Sequence, residues 1–505
     1  MEVSEFPPGR TRVPAHGAGA DQKSAHELPA HVGGPEAGRS GRQRRGRHES
    51  GTLTATKVAM LGRSGGRSMS ILTRKKRFLL IPVAFAALAT VAGCGSEPPP
   101  LPGVTAFTGA TLWDGTGGTA VENAVMVVDH GRITAVGSAD EVEVPPGAAV
   151  EDLAGKTVIP GLINAHAHAG DVMGLETGHY TRENLIRQLG LYARYGVTSV
   201  ASLGGDGPEG ARLRDEQDDS LDRARIWIAG EVISSGTPEE AAESVARSLA
   251  LPADFLKMRV DTNLGANERV SSETIEKVME LGREAGKMVT THIFYLDDAK
   301  EVLRLGSGLI AHSVRDQPVD EEFLELMKEK DVCYVPTLVR EISTYVYSEV
   351  PEFFDDPFFL KDADPAVLEA LKDSERMERV ANSSSAQGYR EHYPIAMANT
   401  KAVADAGVTI AFGTDTGPPG RFQGYFEHIE AGEMAEAGLT AEQILMSATR
   451  DAAACLALDG VGTLTGGNWA DFIVLNESPL EDIANLRSID RVVVAGNTVP
   501  GSGAE

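Results

Sequence analysis

Cysteine is scarce in this 505-residue chain: Cys94, Cys333 and Cys455 are all it has, and their spacing shows no pairing pattern. A disulfide framework is therefore not expected. Basic residues are also in deficit, 47 Lys and Arg against 73 Asp and Glu, for a net charge of −26. Such a surface repels phosphates, which argues against a nucleic-acid partner, and its ordinary role is solubility. No apolar run is long enough to cross a bilayer comfortably. No unit recurs with a period of roughly 20–50 residues, which excludes a repeat array. The Gly-rich stretch ASLGGDGPEG lacks the Lys-Ser/Thr of a phosphate-binding loop, and the strand-rich region carries no G-x-S-x-G nucleophile elbow. What is present is 42% hydrophobic and 24% charged, an ordinary globular composition. The length suits a large barrel with a smaller second domain.

The first 103 residues differ from the rest. Residues 1–68 are rich in Gly, Arg, Ser, Pro and His, as in GRQRRGRHES, and cannot bury a core. They are expected to stay disordered, and Met69 opens a more sensible start, so they need not be translated. From Met69 a basic segment (Arg74, Lys75, Lys76, Arg77) precedes an apolar stretch, Phe78–Ala92, that ends in VAGC. Residues 69–94 resemble a bacterial lipoprotein signal peptide. The resemblance implies acylation of Cys94, a membrane partner through that lipid anchor, and a place in the bacterial cell envelope outside the cytoplasm. Residues 95–103 would be a stiff Pro-rich tether.

Two β-rich segments bracket the remainder. VTAFTGATLWDGTGG and AVMVVDHGRITAVG alternate apolar and polar residues between turn signals, and so do GTLTGGNWADFIVLNESP and RVVVAGNTV. Residues 104–158 and 451–505 are expected to pair as one small composite β-sandwich. Between them lie eight strand-like runs: GLINAHAH, GVTSVASLGG, RIWIAGEVIS, ADFLKMRV, MVTTHIF, GLIAHSV, VCYVPTLV and VTIAFGTD. Helical periodicity separates them, as in SETIEKVMELGREAG and DEEFLELMKEK. Continuously apolar strands alternating with helices predict an α/β fold, a (β/α)8 TIM-like barrel over 159–450. A helical insertion at about 340–400, rich in Tyr, Phe, Glu and Asp, would cover one face.

Barrel chemistry sits at the C-terminal ends of the strands. His166 and His168 end the first run, Lys257 is late in the fourth, His292 ends the fifth, His312 the sixth and Asp415 the eighth. A lone strand-end histidine is ordinarily a hydrogen-bonded structural residue. Four of them and an aspartate on one rim offer nitrogen and oxygen ligands for zinc or a similar divalent metal. An ammonium beside a divalent ion would be repelled, so Lys257 is tolerable there as a neutral amine.

This set resembles the amidohydrolase superfamily: H-x-H after the first strand, lysine on the fourth, histidines on the fifth and sixth, aspartate on the eighth. TVIPGLINAHAH and AFGTDTG carry the resemblance most specifically, and it extends over about residues 104–500. It implies two divalent ions, zinc by preference, with His166, His168 and Asp415 on the more buried one and His292 and His312 on the second. Lys257, carboxylated by carbon dioxide, would lie between them. It further implies hydrolysis of an amide or ester carbonyl by a metal-bridged hydroxide, with Asp415 as general base. The prolidase-like and Xaa-Arg-type dipeptidases are the members it most resembles, which implies a small-molecule or short-peptide substrate cleaved at a peptide or N-acyl amino acid bond.

Substrate contacts are expected from Tyr295 near His292, Arg315 just after His312, and Arg340 and Tyr345 at the start of the insertion. A homo-oligomer is compatible with the composition. Two other readings remain. One is a cyclic-amide hydrolase or mononuclear deaminase of the same superfamily, from which Lys257 and the lack of a Glu beside His292 distinguish this chain. The other is a surface lipoprotein that binds a ligand without catalysis, which would show damage in the ligand set.

Overall fold

The computed structural model describes residues 99–503 apart from 235. The tract 1–68, the signal-like segment 69–94 with Cys94, and residues 95–98 of the tether lie outside the described residues. The end of the tether is bound to the folded part, Leu101 N–H donating to Gly147 O at 2.7 Å.

The first five strands are β1 (Val104–Leu112), β2 (Val121–Asp129), β3 (Arg132–Ser138), β4 (Ala149–Asp152) and β5 (Thr157–Pro160). Three more, β14 (Phe472–Leu475), β15 (Ile489–Val494) and β16 (Asn497–Thr498), come from the other end of the chain. They form one eight-stranded sheet in the order β16-β15-β14-β5-β1-β2-β3, with β4 on β1. The join between the chain ends is the antiparallel β5–β14 ladder, Phe472↔Pro160 to Leu475↔Thr157. The pattern is a single sheet rather than two separate facing ones. β1 makes this possible: its register shifts between Thr108 and Ala110 and again before Leu112, so one strand pairs β2 and β4 early and β5 late. Such irregularities bend a strand, and here they let Phe107, Met126, Val158, Phe472 and Val493 share one apolar cluster.

The middle of the chain is parallel. β6 (Leu162–Ala167), β7 (Val197–Ser202) and β8 (Arg225–Ile228) form one ladder. β9 (Val232–Ile233), β10 (Leu256–Arg259), β11 (Val289–His292), β12 (Leu309–Ala311) and β13 (Cys333–Val335) form a second. The expected third strand is divided: its first half pairs β7 and its second half β10, with Gly230 at φ +77° between them. The expected eighth strand is not a regular strand. Residues 408–416 make two parallel bridges, Tyr334↔Ile410 to the β13 side and Ala167↔Thr416 to the β6 side.

Helices alternate with these strands: α1 (Arg182–Arg194), α2 (Pro208–Asp215), α3 (Pro238–Ala250), α4 (Ser272–Ala285), α5 (Leu296–Leu305), α6 (Glu321–Lys330) and α7 (Leu338–Ser343). Their ends follow from side-chain chemistry. Thr237 and Glu240 close a capping box at the start of α3, Ser271 caps α4, and Asp320 caps α6. Gly286 stops α4 in the left-handed conformation. Beyond α7 the insertion consists of short helices and one long helix, Ser384–Asp405.

The cysteine reading needs correction. Cys333 in β13 and Cys455 at the end of helix Arg450–Cys455 are disulfide-bonded across 122 residues, with their Cα atoms 5.9 Å apart. Such a pair is created by tertiary folding, and local spacing carries no sign of it.

Candidate metal centre

Strand alternation places Asn164, His166 and His168 on one face, and the same alternation from β10 onward places Lys257, Arg259 and Asp261 on one face. His292 is the last residue of β11, and His312 directly follows β12. Asp415 closes the segment 408–416. His166, His168, His292, His312 and Asp415 therefore stand at the same ends of the parallel strands, with Lys257 two positions deeper, opposite Thr290. All but His168 are buried, and His168 is half-buried.

His168 Nε2 is 2.9 Å from Asp415 Oδ1, and His166 Nε2 is 3.5 Å from the same oxygen. The three side chains have donor atoms within 4.8 Å of one another, a group able to hold a metal ion. Lys257 Nζ lies 3.1 Å from His166 Nε2. The His312 ring centroid lies 4.6 Å from that of His166 and 4.1 Å from that of His292. His168 Nδ1 donates to Gly204 O at 2.9 Å, which orients the ring and leaves Nε2 as the atom facing Asp415. His312 Nδ1 contacts Thr337 Oγ1 at 2.7 Å, and its buried Nε2 has no hydrogen-bond partner.

Two glycines are required by this geometry. Gly417 has φ +118°, and a Cβ there would lie 2.0 Å from His168 O. A Cβ on Gly413 would come within 2.9 Å of His166 N. The backbone is strained as well: His312 (φ 73°) and Asp415 (φ 57°) occupy the left-handed region without being glycine.

Burial dominates the electrostatics. It pushes Lys257 down to about 7, against the pull of Asp415, so a neutral amine is accessible near neutrality. It pushes His292 down to about 3 despite Asp261, and holds His166 and His312 well below the usual imidazole range. All three are neutral and able to donate a lone pair. Burial alone would raise the Asp415 carboxyl, but Arg421 and the hydrogen bond with His168 hold it well below the carboxylate range. For Asp261, His292, Arg259 and Arg315 likewise outweigh burial and keep the group ionised.

The sequence profile of the amidohydrolase family matches residues 157–499, more than half of the chain. This chain belongs to the amidohydrolase family. A protein named imidazolonepropionase from Cutibacterium acnes is 26% identical over 386 residues, covering 70% of this chain and 84% of that protein. A protein named ochratoxinase from Aspergillus niger is 26% identical over 293 residues, covering 56% of this chain and 53% of that protein. Among solved structures, a Xaa-Pro dipeptidase with bound methionine in its active site superposes with a TM-score of 0.63 at 22% identity, covering 78% of this chain and 99% of that one. The A. niger ochratoxinase structure gives 0.61 at 20% identity, covering 80% and 96%. At these identities the structures show a common fold. Hydrolysis of a carbon–nitrogen bond is the chemistry that membership of this amidohydrolase family supports.

The expected substrate residues fall in different places. Tyr295 is half-buried, caps α5 and meets Thr262 Oγ1 through its hydroxyl at 3.0 Å. Arg315 is turned inward: it is 0% exposed, donates to Ile293 O and Ser313 O, and pairs with Glu341. Arg340 reaches the site, its Nε 3.6 Å from Asp415 Oδ2 and its Nη2 3.0 Å from Tyr389 OH. Tyr345 lies against Arg390 and Tyr393, in a cavity that includes none of the six strand-end residues.

Several site residues were not anticipated. Arg421 donates to Asp415 Oδ2. Glu427 Oε1 accepts from Asn164, Thr414 and Thr416, and so ties the H-x-H strand to the residues on both sides of Asp415. Asp261 is 2.9 Å from His292 Nε2. Beside His168 opens a cavity of about 300 Å³ whose walls include Asp171, Val172, Val232, Pro418 and Pro419. A larger cavity of about 440 Å³, near Val408, Leu439 and Met446, touches none of the site residues.

Proposed function

We propose that this chain is a metal-dependent hydrolase that cleaves a peptide or N-acyl amino acid amide bond. The observation that carries the reading is the convergence of His166, His168 and Asp415, with neutralisable Lys257 3.1 Å from His166. The donor set fits a divalent ion: neutral imidazoles, an ionised carboxylate and the unpartnered His312 Nε2. His166, His168 and Asp415 would hold one ion, and His292 and His312 a second. The neutral Lys257 amine would add to carbon dioxide, release a proton and supply an anionic carbamate between them. We read the two parallel ladders and their bridging segment as one closed (β/α)8 barrel around this centre, supported by the superpositions.

When bound, the ions supply Lewis-acid polarisation of a carbonyl and a water acidic enough to be deprotonated near neutrality. The chain's own groups do the rest. Asp415 accepts a proton from the attacking water and hands it to the leaving nitrogen. Arg421 and Arg340 face its other oxygen and hold the carboxylate in place. The cavity beside His168 takes an apolar part of the substrate against Val172, Val232 and Pro418.

Metal analysis of protein prepared with bicarbonate, followed by hydrolysis assays over dipeptides and N-acyl amino acids, tests this. Two ions per chain and amide cleavage are expected; a metal-replete protein that cleaves no amide overturns the reading. The three-residue group His166–His168–Asp415 is by itself a complete one-ion site and favours, as the second reading, a mononuclear cyclic-amide hydrolase. One ion per chain, unaffected by Lys257→Ala, would decide for it.

A further inference from the structure

His292 and His312 are each tied at one ring nitrogen. For His312 the tie is Thr337 Oγ1 at Nδ1. For His292 it is Asp261 Oδ2, 2.9 Å from Nε2. An ionised carboxylate only accepts, so the proton sits on His292 Nε2 and the lone pair on Nδ1. The two rings are 4.1 Å apart between centroids, and the remaining nitrogen of His312 has no hydrogen-bond partner.

Asp261 is itself fixed. Its Oδ1 accepts the Asn263 N–H at 2.9 Å and lies 3.3 Å from Arg259 Nε. The residues that follow are anchored too, Thr262 Oγ1 at 3.0 Å from Tyr295 OH and Asn263 Oδ1 accepting from Tyr389 OH at 2.8 Å. A counter-ion for Arg259 would need only Oδ1. Among the described residues, Oδ2 hydrogen-bonds to His292 alone.

We propose that Asp261 is a positioning residue that holds His292 in the tautomer presenting Nδ1 to a divalent cation shared with His312 Nε2. This rests on the metal-dependent reading above. Carboxylate–imidazole pairs of this kind orient a metal ligand and raise its basicity. Asp261 thus acts through His292 and touches neither ion nor substrate.

The test is cobalt(II) binding by the full chain in bicarbonate buffer, read by elemental analysis and visible absorption, beside the thermal midpoint of the ion-free protein. Wild type should take up two ions. Asp261→Ala should keep the first ion at wild-type affinity and bind the second about 10–100-fold more weakly. Asp261→Asn, which keeps an acceptor but no charge, should lose about tenfold for the second ion alone. Two ions held by Asp261→Ala at wild-type affinity would overturn the proposal and leave the hydrolase reading standing. So would equal weakening of both ions with a lowered midpoint, because that marks a merely structural role. One ion or none in wild type overturns the two-ion reading together with this proposal. Should Asp261→Ala fail to fold, Asp261→Asn decides, and an unchanged second ion counts against.

Discussion

The two halves of the centre differ in how far their donor atoms have converged. In the His166–His168–Asp415 half, donor atoms lie within 4.8 Å of one another and already pair across the gap. In the His292–His312 half the rings pack edge to face, one nitrogen of each is tied to Asp261 or Thr337, and His312 Nε2 is left without a partner. The first half brings its own anion, Asp415, which pairs with Arg421 and Arg340 on one side and meets His168 at 2.9 Å on the other. The second has two neutral imidazoles, and its nearest anion, Asp261, is bound to His292 alone of the two. The two halves therefore differ chiefly in where the charge sits.

The comparison can be broken most severely at Asp415. Asp415→Ala should leave Arg421 and Arg340 unbalanced and remove the anion of the first half, with kcat/KM for any cleaved amide falling about 10²–10⁴-fold. Elemental analysis should show the first ion lost. Next comes Gly417→Ala, whose Cβ would collide with His168 O. It should weaken first-half metal binding and cost about 1–3 kcal/mol in denaturant unfolding; wild-type metal content would show that His168 is not held by this contact.

Replacing Cys333 and Cys455 by Ala bears on the other half, because β13 also supplies Val335 O, which accepts the His312 N–H at 2.8 Å. Stability should drop by about 2–4 kcal/mol, with first-ion affinity unchanged. The mildest intervention is pH. Lys257 titrates near 7 in the folded chain and near its ordinary 10.5 when unfolded. Bicarbonate-dependent uptake of the second ion should rise roughly tenfold per pH unit below 7 and level off above it, with first-ion uptake free of that step. Between those two values the unfolded chain binds the extra proton, so the cost of burying this amine is relieved as pH rises. Loading that rises only near pH 10 would remove Lys257 from the centre.

Much of the centre was legible because residue type and strand period coincide. His166 and His168 share a face by alternation, His292, His312 and Asp415 each end an apolar run, and Lys257 lies late in one. The supporting groups escaped for definite reasons. Asp261 stands four residues after Lys257, on the same alternation, but past the end of the strand, where the period is not trusted. Glu427 lies on helix Tyr425–Glu436, whose buried residues include Tyr425, Glu427, His428 and Glu430, so polar and apolar positions are interleaved on its inner face. Arg315 was misplaced because sequence proximity to His312 says nothing of direction; its guanidinium turns inward to backbone carbonyls and Glu341. Strand regularity was overestimated wherever glycine intervenes, at Gly230 and again at Gly413 in the segment before Asp415.

The β5–β14 ladder has a bearing on how the chain is made. β5 leaves the ribosome more than 300 residues before β14 (Phe472 pairs Pro160), so its edge waits, unpaired, through the synthesis of the entire catalytic region. Long-range pairing of this kind is slow to form and exposes a strand edge while it is pending. Completion of the sheet thus has to wait for the end of synthesis, and a chain truncated before Phe472 would carry its strand-end histidines on a molecule with an open, aggregation-prone seam.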